Sequence, residues 1–358
     1  MIPSIHLNGK TVEVDRLSSF PVSTSFERST VDFLEQWLGG REVFEIHTSG
    51  STGKPTKINI YREQMMASAK MTIGTLGLAS GDTVHLCLNT GFIAGKMMLV
   101  RALMGKMNII AEEPSSLPEA LQNPENNIQF TALIPMQLEN LLSNQRSVDI
   151  LDKMKAIIIG GAPVSHHLEK RLQAITAPVY ATFGMTETVT HIALKRMNGP
   201  RKSAYYCTFT GIHIGQDDRE CLTITGPVTA GKTLVTNDRV KIIDGNHFKW
   251  LGRVDNVINS GGIKIQLEQV ESKVSHILEG LGIISRSFAA GIPDPVLGQK
   301  LILCIEGKEY QAIDELIKQL KSKLPKYHAP GNILFTEHFI ETETGKVNRR
   351  ETLSILGY

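Results

Sequence analysis

Between residues 42 and 183 the apolar positions alternate between two spacings. EVFEIH (42–47), TVHLCL (83–88), MNIIA (107–111), QFTALI (129–134), KAIIIG (155–160) and PVYATF (178–183) are short β-branched or aromatic runs. Between them, residues 62–78, 94–105, 136–143 and 165–174 carry helical spacing; Met97, Met98, Val100, Arg101 and Met104 lie in the second of these. Short strands alternating with helices predict a parallel sheet covered on both faces. After about residue 190 the texture changes to HIALKR, GIHIG, CLTIT, KTLVT, VKIID and HFKWL, short strands between turns that read as antiparallel. After Gly252 it changes again. Leu267, Val270, Val274, Ile277 and Leu278 form one helical stripe over 267–279, and Ile313, Leu316, Ile317, Leu320 and Leu324 form another over 311–324. The pattern predicts an α/β chain: a large domain over 1–252 that includes the β appendage, and a small α+β domain over 253–358.

Composition narrows the class. The chain has 358 residues with 38 Lys+Arg against 36 Asp+Glu, a net charge of +2, too balanced for a dedicated nucleic-acid binder. The length fits roughly two domains. The longest apolar stretch, Phe92 to Ile110, is broken by Lys96, Arg101 and Lys106, so no membrane span is expected. The start, MIPSIHLNGKTVEV, has no basic region before a long apolar core and does not read as a secretory signal. Cys87, Cys207, Cys221 and Cys304 are scattered without a CxxC pair, which predicts reduced thiols and a cytoplasmic protein.

Five segments carry candidate chemistry. His47-Thr-Ser-Gly-Ser-Thr-Gly-Lys-Pro-Thr-Lys57 follows a strand, with a helix expected after it. Its glycines admit main-chain N–H groups to phosphate oxygens, its hydroxyls add donors, and its lysines neutralise charge. Tyr180-Ala-Thr-Phe-Gly-Met-Thr-Glu-Thr188 follows a strand whose carboxyl end should face a ligand crevice. Glu187 there is either a helix-capping carboxylate or a ligand for Mg²⁺, which takes few protein carboxylates. Val235-Thr-Asn-Asp238 reads as a β turn. Leu251-Gly-Arg-Val-Asp255, continuing through Gly261-Gly262 to Ile265, fits a hinge at a domain junction or a plain linker with a hairpin. Glu341 to Arg350 is a charged segment that read alone is a solvated turn. Gly226-Pro-Val-Thr-Ala-Gly-Lys-Thr233 fits the string GxxxxGK[ST], but LVTNDRVKIID after it is a poor helix, so a hairpin is expected in place of a P-loop.

Taken in order, TSGSTGKP, FGMTET, TND, GRVDNVINSGGIKIQLEQVE and TGKVNRR resemble the motifs of the adenylate-forming superfamily: acyl-CoA synthetases, peptide-synthetase adenylation domains and luciferases. The resemblance runs from Thr48 to Arg350. It implies an ATP-, CoA- and Mg²⁺-using enzyme acting on a small carboxylic acid. Thr48, Ser49, Gly50, Ser51, Thr52 and Gly53 would cradle phosphate, with Lys54 or Lys57 as the loop cation. Glu187 would hold Mg²⁺ and Thr186 the α-phosphate. Phe183 and Gly184 would meet adenine on one side and the Gly160-Gly161-Ala162 backbone on the other. Asp238 would accept both ribose hydroxyls, and Arg253 would contact ribose or phosphate. Asp255 would be the pivot of a rotating small domain, Lys346 would bridge acid and α-phosphate, and Gly261 and Gly262 would face the pantetheine arm of CoA.

Two departures stand out. Thr56 separates the loop proline from Lys57. Only 47 residues precede the phosphate loop, where family members usually carry a further subdomain. That second departure predicts an exposed sheet or helix face, met by a reduced architecture or by partner packing such as a homo-oligomer. GFIAGKMMLVRALMGK (91–106), IIIGGAPVSHHL (157–168) and FGMTETVTHIALKRMNG (183–199) look most like the o-succinylbenzoate–CoA ligases of menaquinone biosynthesis, in a short form. Such an acid has a second carboxylate, for which Lys96, Arg101, His191, Lys195 and Arg196 are candidate partners.

Overall fold

The computed structural model describes residues 4–47, 57–309, 313–342 and 347–358. A 13-stranded sheet dominates it. Asn108–Ala111, Thr83–Leu86, Phe130–Leu133, Ala156–Ile159 and Val179–Gly184 run parallel as neighbours in that order. All four positions of Ala156–Ile159 are buried because the two faces meet different cores. Ala156 and Ile158 pack with Met97, Met98 and Phe130, whereas Ile157 and Ile159 pack with Leu138, Leu141 and Leu168. A strand covered twice has no polar face to show, so its sequence is apolar throughout.

The antiparallel appendage continues the same sheet. His191–Arg196 pairs antiparallel with Val179–Gly184, and Tyr206–Thr208, His247–Arg253, Leu234–Ile242, Cys221–Thr225 and His213–Gln216 follow. A second sheet of five strands holds Val257–Ser260, Ile263–Gln266, Ser287–Asp294, Gly298–Glu306 and Asn332–Thr336. Helices Leu267–Gly280 and Ile313–Lys323 cover one face, while Leu353 and Leu356 cover Phe288, Ile302 and Phe339 on the other.

The structure corrects three expectations. The phosphate segment does not run from strand to helix. Lys57–Tyr61 is a strand antiparallel to Val43–His47, with His47 opposite Lys57, and helix Arg62–Leu76 begins only after it. The Asn237-Asp238 dipeptide lies inside the strand Leu234–Ile242 and makes no turn. Its turn chemistry is absorbed by a bulge: Val235 and Arg239 are four positions apart where their partners Thr223 and Cys221 are two apart. KTLVT and VKIID are therefore one strand.

The short segment before the phosphate loop packs on the large sheet. Thr24 caps helix Ser25–Leu38 through a reciprocal box with Glu27, and its buried Phe26, Phe33, Leu34 and Trp37 join the core that holds Met97 and Met98. The capping signature Thr-x-x-Glu was the available signal for this helix. Ser4–Leu7 and Lys10–Glu13 extend the sheet at its parallel edge. Among the described residues no helix is long and apolar enough to cross a membrane.

Candidate active site

The parallel strands deliver Gly160-Gly161-Ala162 and the 184–190 turn to one edge of the sheet, their carboxyl ends, where open α/β sheets bind ligands. Gly184 ends its strand under close approach by the next one: a Cβ there would fall 2.2 Å from Thr190 O. Phe183 is half-buried, edge-on to Phe248 at 5.0 Å and tilted against Tyr206 at 5.6 Å.

Thr186–Thr188 forms a single 3₁₀ turn that leaves Glu187 exposed, with no ion-pair partner among the described residues. Thr188 Oγ1 ties the turn to Met185 and to Thr190 O. Val189 sits at φ 66°, ψ −65°, and the N–H of Thr190 reaches Thr188 O at 2.7 Å. That is the rare positive-φ γ-turn, costly for a β-branched residue and kept where surrounding packing enforces it. Val189 is fully buried.

The packing under this turn is polar. Arg101 is 2% exposed; its Nη2 donates to Thr190 Oγ1 at 3.0 Å and its Nη1 points at Met98 Sδ, while Nε finds no acceptor. Burial pulls the guanidinium pKa down to about 9. No carboxylate among the described residues pairs with it. Thr190 Oγ1 also meets Ser68 Oγ at 2.9 Å, and Thr72 Oγ1 meets His191 Nε2 at 3.1 Å. Burial, then the Arg101 charge, push His191 well below the usual histidine range, so it is neutral. Ser68, Thr72 and Thr190 gave no sequence signal, since their partners lie about a hundred residues away.

Asp238 lies opposite Arg253 across the strand pair, and Arg253 Nη2 holds Asp255 Oδ2 at 2.7 Å. Asp255 stands in the 3₁₀ turn Val254–Asn256, between the last strand of the large sheet and the first of the small one. Trp250, which the sequence reading treated only as part of a strand, donates its indole N–H to Asp238 Oδ1 at 2.8 Å. Burial raises the Asp238 pKa, opposed by that N–H and by the Arg253 charge.

The remaining candidates divide. Thr48, Ser49, Gly50, Ser51, Thr52, Gly53 and Lys54, together with Lys346, lie outside the described residues. Lys57 pairs with Glu45 at 2.8 Å, both well exposed. Lys96 donates to the carbonyls of Thr90 and Gly91, so it closes a loop of its own chain. Gly261 and Gly262 form the two-residue tip of the hairpin from Val257 to Gln266, both at positive φ. Lys195 lies over the Tyr206 ring and Arg196 over the Tyr180 ring. The GxxxxGK[ST] string is a 3₁₀ turn, Pro227–Thr229, followed by strand Leu234–Ile242, so no helix N-terminus faces it.

One exposed carboxylate with hydroxyl neighbours suits an ion that completes its shell with phosphate and water. Mg²⁺ fits that donor set.

The chain is similar to known proteins over most of its length. The profile of the AMP-binding enzyme family matches residues 35–251. A 2-succinylbenzoate–CoA ligase of Bacillus cytotoxicus is 25% identical, covering 87% of this chain and 69% of the relative. The same-named ligase of Salmonella typhimurium is 22% identical, covering 98% and 77%. Among solved structures, an acyl-CoA synthetase (AMP-forming)/AMP-acid ligase II-like protein from Dyadobacter fermentans is 41% identical, with 95% of this chain and 97% of that one covered and a TM-score of 0.63. The O-succinylbenzoate coenzyme A synthetase of Bacillus subtilis, in complex with ATP and magnesium, shares the fold at 19% identity, coverage of 86% and 69%, and a TM-score of 0.71. With a family profile over more than half its length and a 41% identical relative along nearly all of it, the chain belongs to the AMP-binding enzyme family, within the adenylate-forming superfamily.

Proposed function

We propose that this chain is an AMP-forming acid–CoA ligase, and that its acid is o-succinylbenzoate. One observation carries the reading: exposed Glu187 lies in the turn Thr186–Thr190, and buried Arg101, with no carboxylate partner among the described residues, holds the far end of that turn through Thr190. A group that seeks a cation and one that can hold an anion are therefore both attached to this one turn. That arrangement suits a magnesium nucleotide next to an acid with a second carboxylate. The relatives named 2-succinylbenzoate–CoA ligase, 22–25% identical, support the acid.

In the proposed reaction a carboxylate oxygen of the acid attacks the α-phosphorus of ATP. The bond to pyrophosphate breaks, and an acyl-adenylate forms. Repulsion between anionic oxygens sets the barrier, so fixed positive charge and N–H donors lower it. Mg²⁺ held by Glu187 would supply Lewis-acid charge at the phosphates. Thr186 donates to the α-phosphate, Phe183 packs on adenine against the Gly161-Ala162 backbone, and Asp238 accepts the ribose hydroxyls. Lys346 bridges the two reacting anions. The unit over 253–358 then turns about Asp255 relative to 1–252, withdrawing Lys346 and bringing Gly261-Gly262 to the pantetheine arm. The CoA thiolate attacks the acyl carbon, and AMP leaves.

A ligase assay over an acid panel tests this. Purified protein with Mg²⁺ and ATP should release pyrophosphate and consume CoA with o-succinylbenzoate in preference to benzoate, succinate or a fatty acid. Preference for a fatty acid would replace the proposed acid while keeping the reaction class. Pyrophosphate release without CoA turnover would make the chain a CoA-independent adenylating enzyme.

A further inference from the structure

Strands Leu234–Ile242 and His247–Arg253 do not pair in simple alternation. Asp238 faces Arg253 and Arg239 faces Gly252, but Val240 faces Trp250, so Leu251 is an extra residue. Side chains alternate faces along a strand, and a one-residue insertion moves everything beyond it to the other face. Without Leu251 as a bulge, Trp250 would point away from Asp238. With it, Trp250 shares the face of Asp238, Val240 and Phe248, and its Nε1–H reaches Asp238 Oδ1 at 2.8 Å. Asp238 is 8% exposed, so that contact fixes the plane of a carboxylate with few other partners. Its own N–H is held by Thr236 Oγ1 at 3.1 Å. An ionised carboxylate offers about four lone pairs on two oxygens, and no described residue donates a hydrogen bond to Oδ2, so that oxygen can take a ligand.

We propose that Trp250 is a positioning residue for the nucleotide: the bulge at Leu251 turns its indole onto Asp238, and the hydrogen bond aims the free carboxylate oxygen at the ribose hydroxyls. The inference rests on the reading of Asp238 as the ribose acceptor. It gives a role to a bulge in an otherwise regular pairing of these two strands, since bulges near sites re-aim side chains. It also explains a tryptophan at a half-buried strand position, where a phenylalanine would pack equally well but carry no donor.

The test compares ATP with 2′-deoxy-ATP in acid-dependent pyrophosphate exchange. Trp250→Phe should raise the KM for ATP roughly tenfold, the loss expected for one hydrogen bond to a charged group. It should leave kcat within about twofold and reduce the preference for ATP over 2′-deoxy-ATP by a similar tenfold factor. Trp250→His, which restores a ring N–H, should recover part of that preference. A wild-type preference in both variants would make Trp250 packing alone and overturn the proposal. A second measurement uses the unaltered protein, which has only two tryptophans, Trp37 and Trp250. On adding AMP the indole N–H resonance of Trp250 should move and that of Trp37 should stay; a stationary Trp250 signal at saturation overturns the proposal even if the variants misfold. Failure of the underlying reading looks different: wild type would bind AMP with no loss of affinity in Asp238→Asn. Binding without any acid-dependent exchange would instead remove the ligase reading and leave Trp250 to be judged by the resonance.

Discussion

Glu268, in the first turn of helix Leu267–Gly280, accepts the main-chain N–H of Arg253 at 3.2 Å. The same carboxylate takes Asn256 Nδ2 at 2.7 Å and Gln266 Nε2 at 2.6 Å, and Gln266 Nε2 also reaches Arg253 O at 2.8 Å. Gly252 makes room, since a Cβ there would lie 2.5 Å from Glu268 Oε2. The residues flanking Asp255 are thus clamped by the side chains of Glu268 and Gln266. If the proposed unit over 253–358 turns about Asp255 during the reaction, the clamp stabilises one pose and penalises the other. Glu268→Ala should then change pyrophosphate exchange and thioester formation from preformed acyl-adenylate in opposite directions, by roughly tenfold in their ratio. A parallel fall in both would mark the clamp as structural.

The amine of Lys346 is assigned to only one of the two half-reactions. Lys346→Ala should cut acid-dependent pyrophosphate exchange by about 100- to 1,000-fold, the loss typical of one transition-state donor. Thioester formation from supplied acyl-adenylate should stay within a few-fold of wild type. Equal damage to both steps would refute the rotating-unit assignment.

Arg101 offers a stability readout beside the kinetic one. A buried guanidinium with no carboxylate partner among the described residues and an unpaired Nε costs the fold energy that its contacts with Thr190 and Met98 offset only in part. Arg101→Met, similar in reach and uncharged, should raise the KM for o-succinylbenzoate roughly 10- to 100-fold. It should leave the KM for ATP near wild type and the melting temperature of the ligand-free protein unchanged or higher. A lower melting temperature with an unchanged KM for the acid would make Arg101 a support for Thr190 alone.

Legibility in the sequence followed local determination. The parallel strands and helices 62–76 and 267–280 were readable because double coverage and helical stripes are written in consecutive residues. Lys57–Tyr61 was missed because its two buried-side isoleucines, Ile58 and Ile60, adjoin a stronger helical pattern. The Asp238 segment looked like a turn because Thr-Asn-Asp favours local hydrogen bonds, and those bonds are present, but in a bulge that depends on strands from 221 and 253. Nothing in Thr-Val-Thr announces a positive φ at Val189; tertiary packing imposes it against the residue's own preference. Motif residues at strand ends were visible as chemistry, while the groups that hold them, Thr190, Ser68 and Trp250, depend on register and could not be read in advance.

Asp238 connects stability to pH with a definite sign. Its folded pKa is raised, chiefly by burial, so relative to the unfolded chain the fold favours the protonated acid. That contribution is complete below the ordinary aspartate pKa and is lost as pH rises through the folded value. At neutral pH the ionised carboxylate therefore burdens the ligand-free protein, while Trp250 and Arg253 offset part of the burden. Asp238→Asn keeps an acceptor for the indole and carries no charge. Without nucleotide it should melt at or above the wild-type temperature at neutral pH, with the difference closing as pH falls below the aspartate range. With saturating ATP the order should reverse, because wild type gains stability in proportion to the logarithm of ligand over Kd and the variant, weakened roughly 10- to 100-fold in affinity, gains less. Calorimetric scans of both proteins across pH, with and without ATP, measure this crossing. A variant that melts below wild type in the absence of nucleotide at neutral pH would show that Asp238 serves the fold and not the ribose.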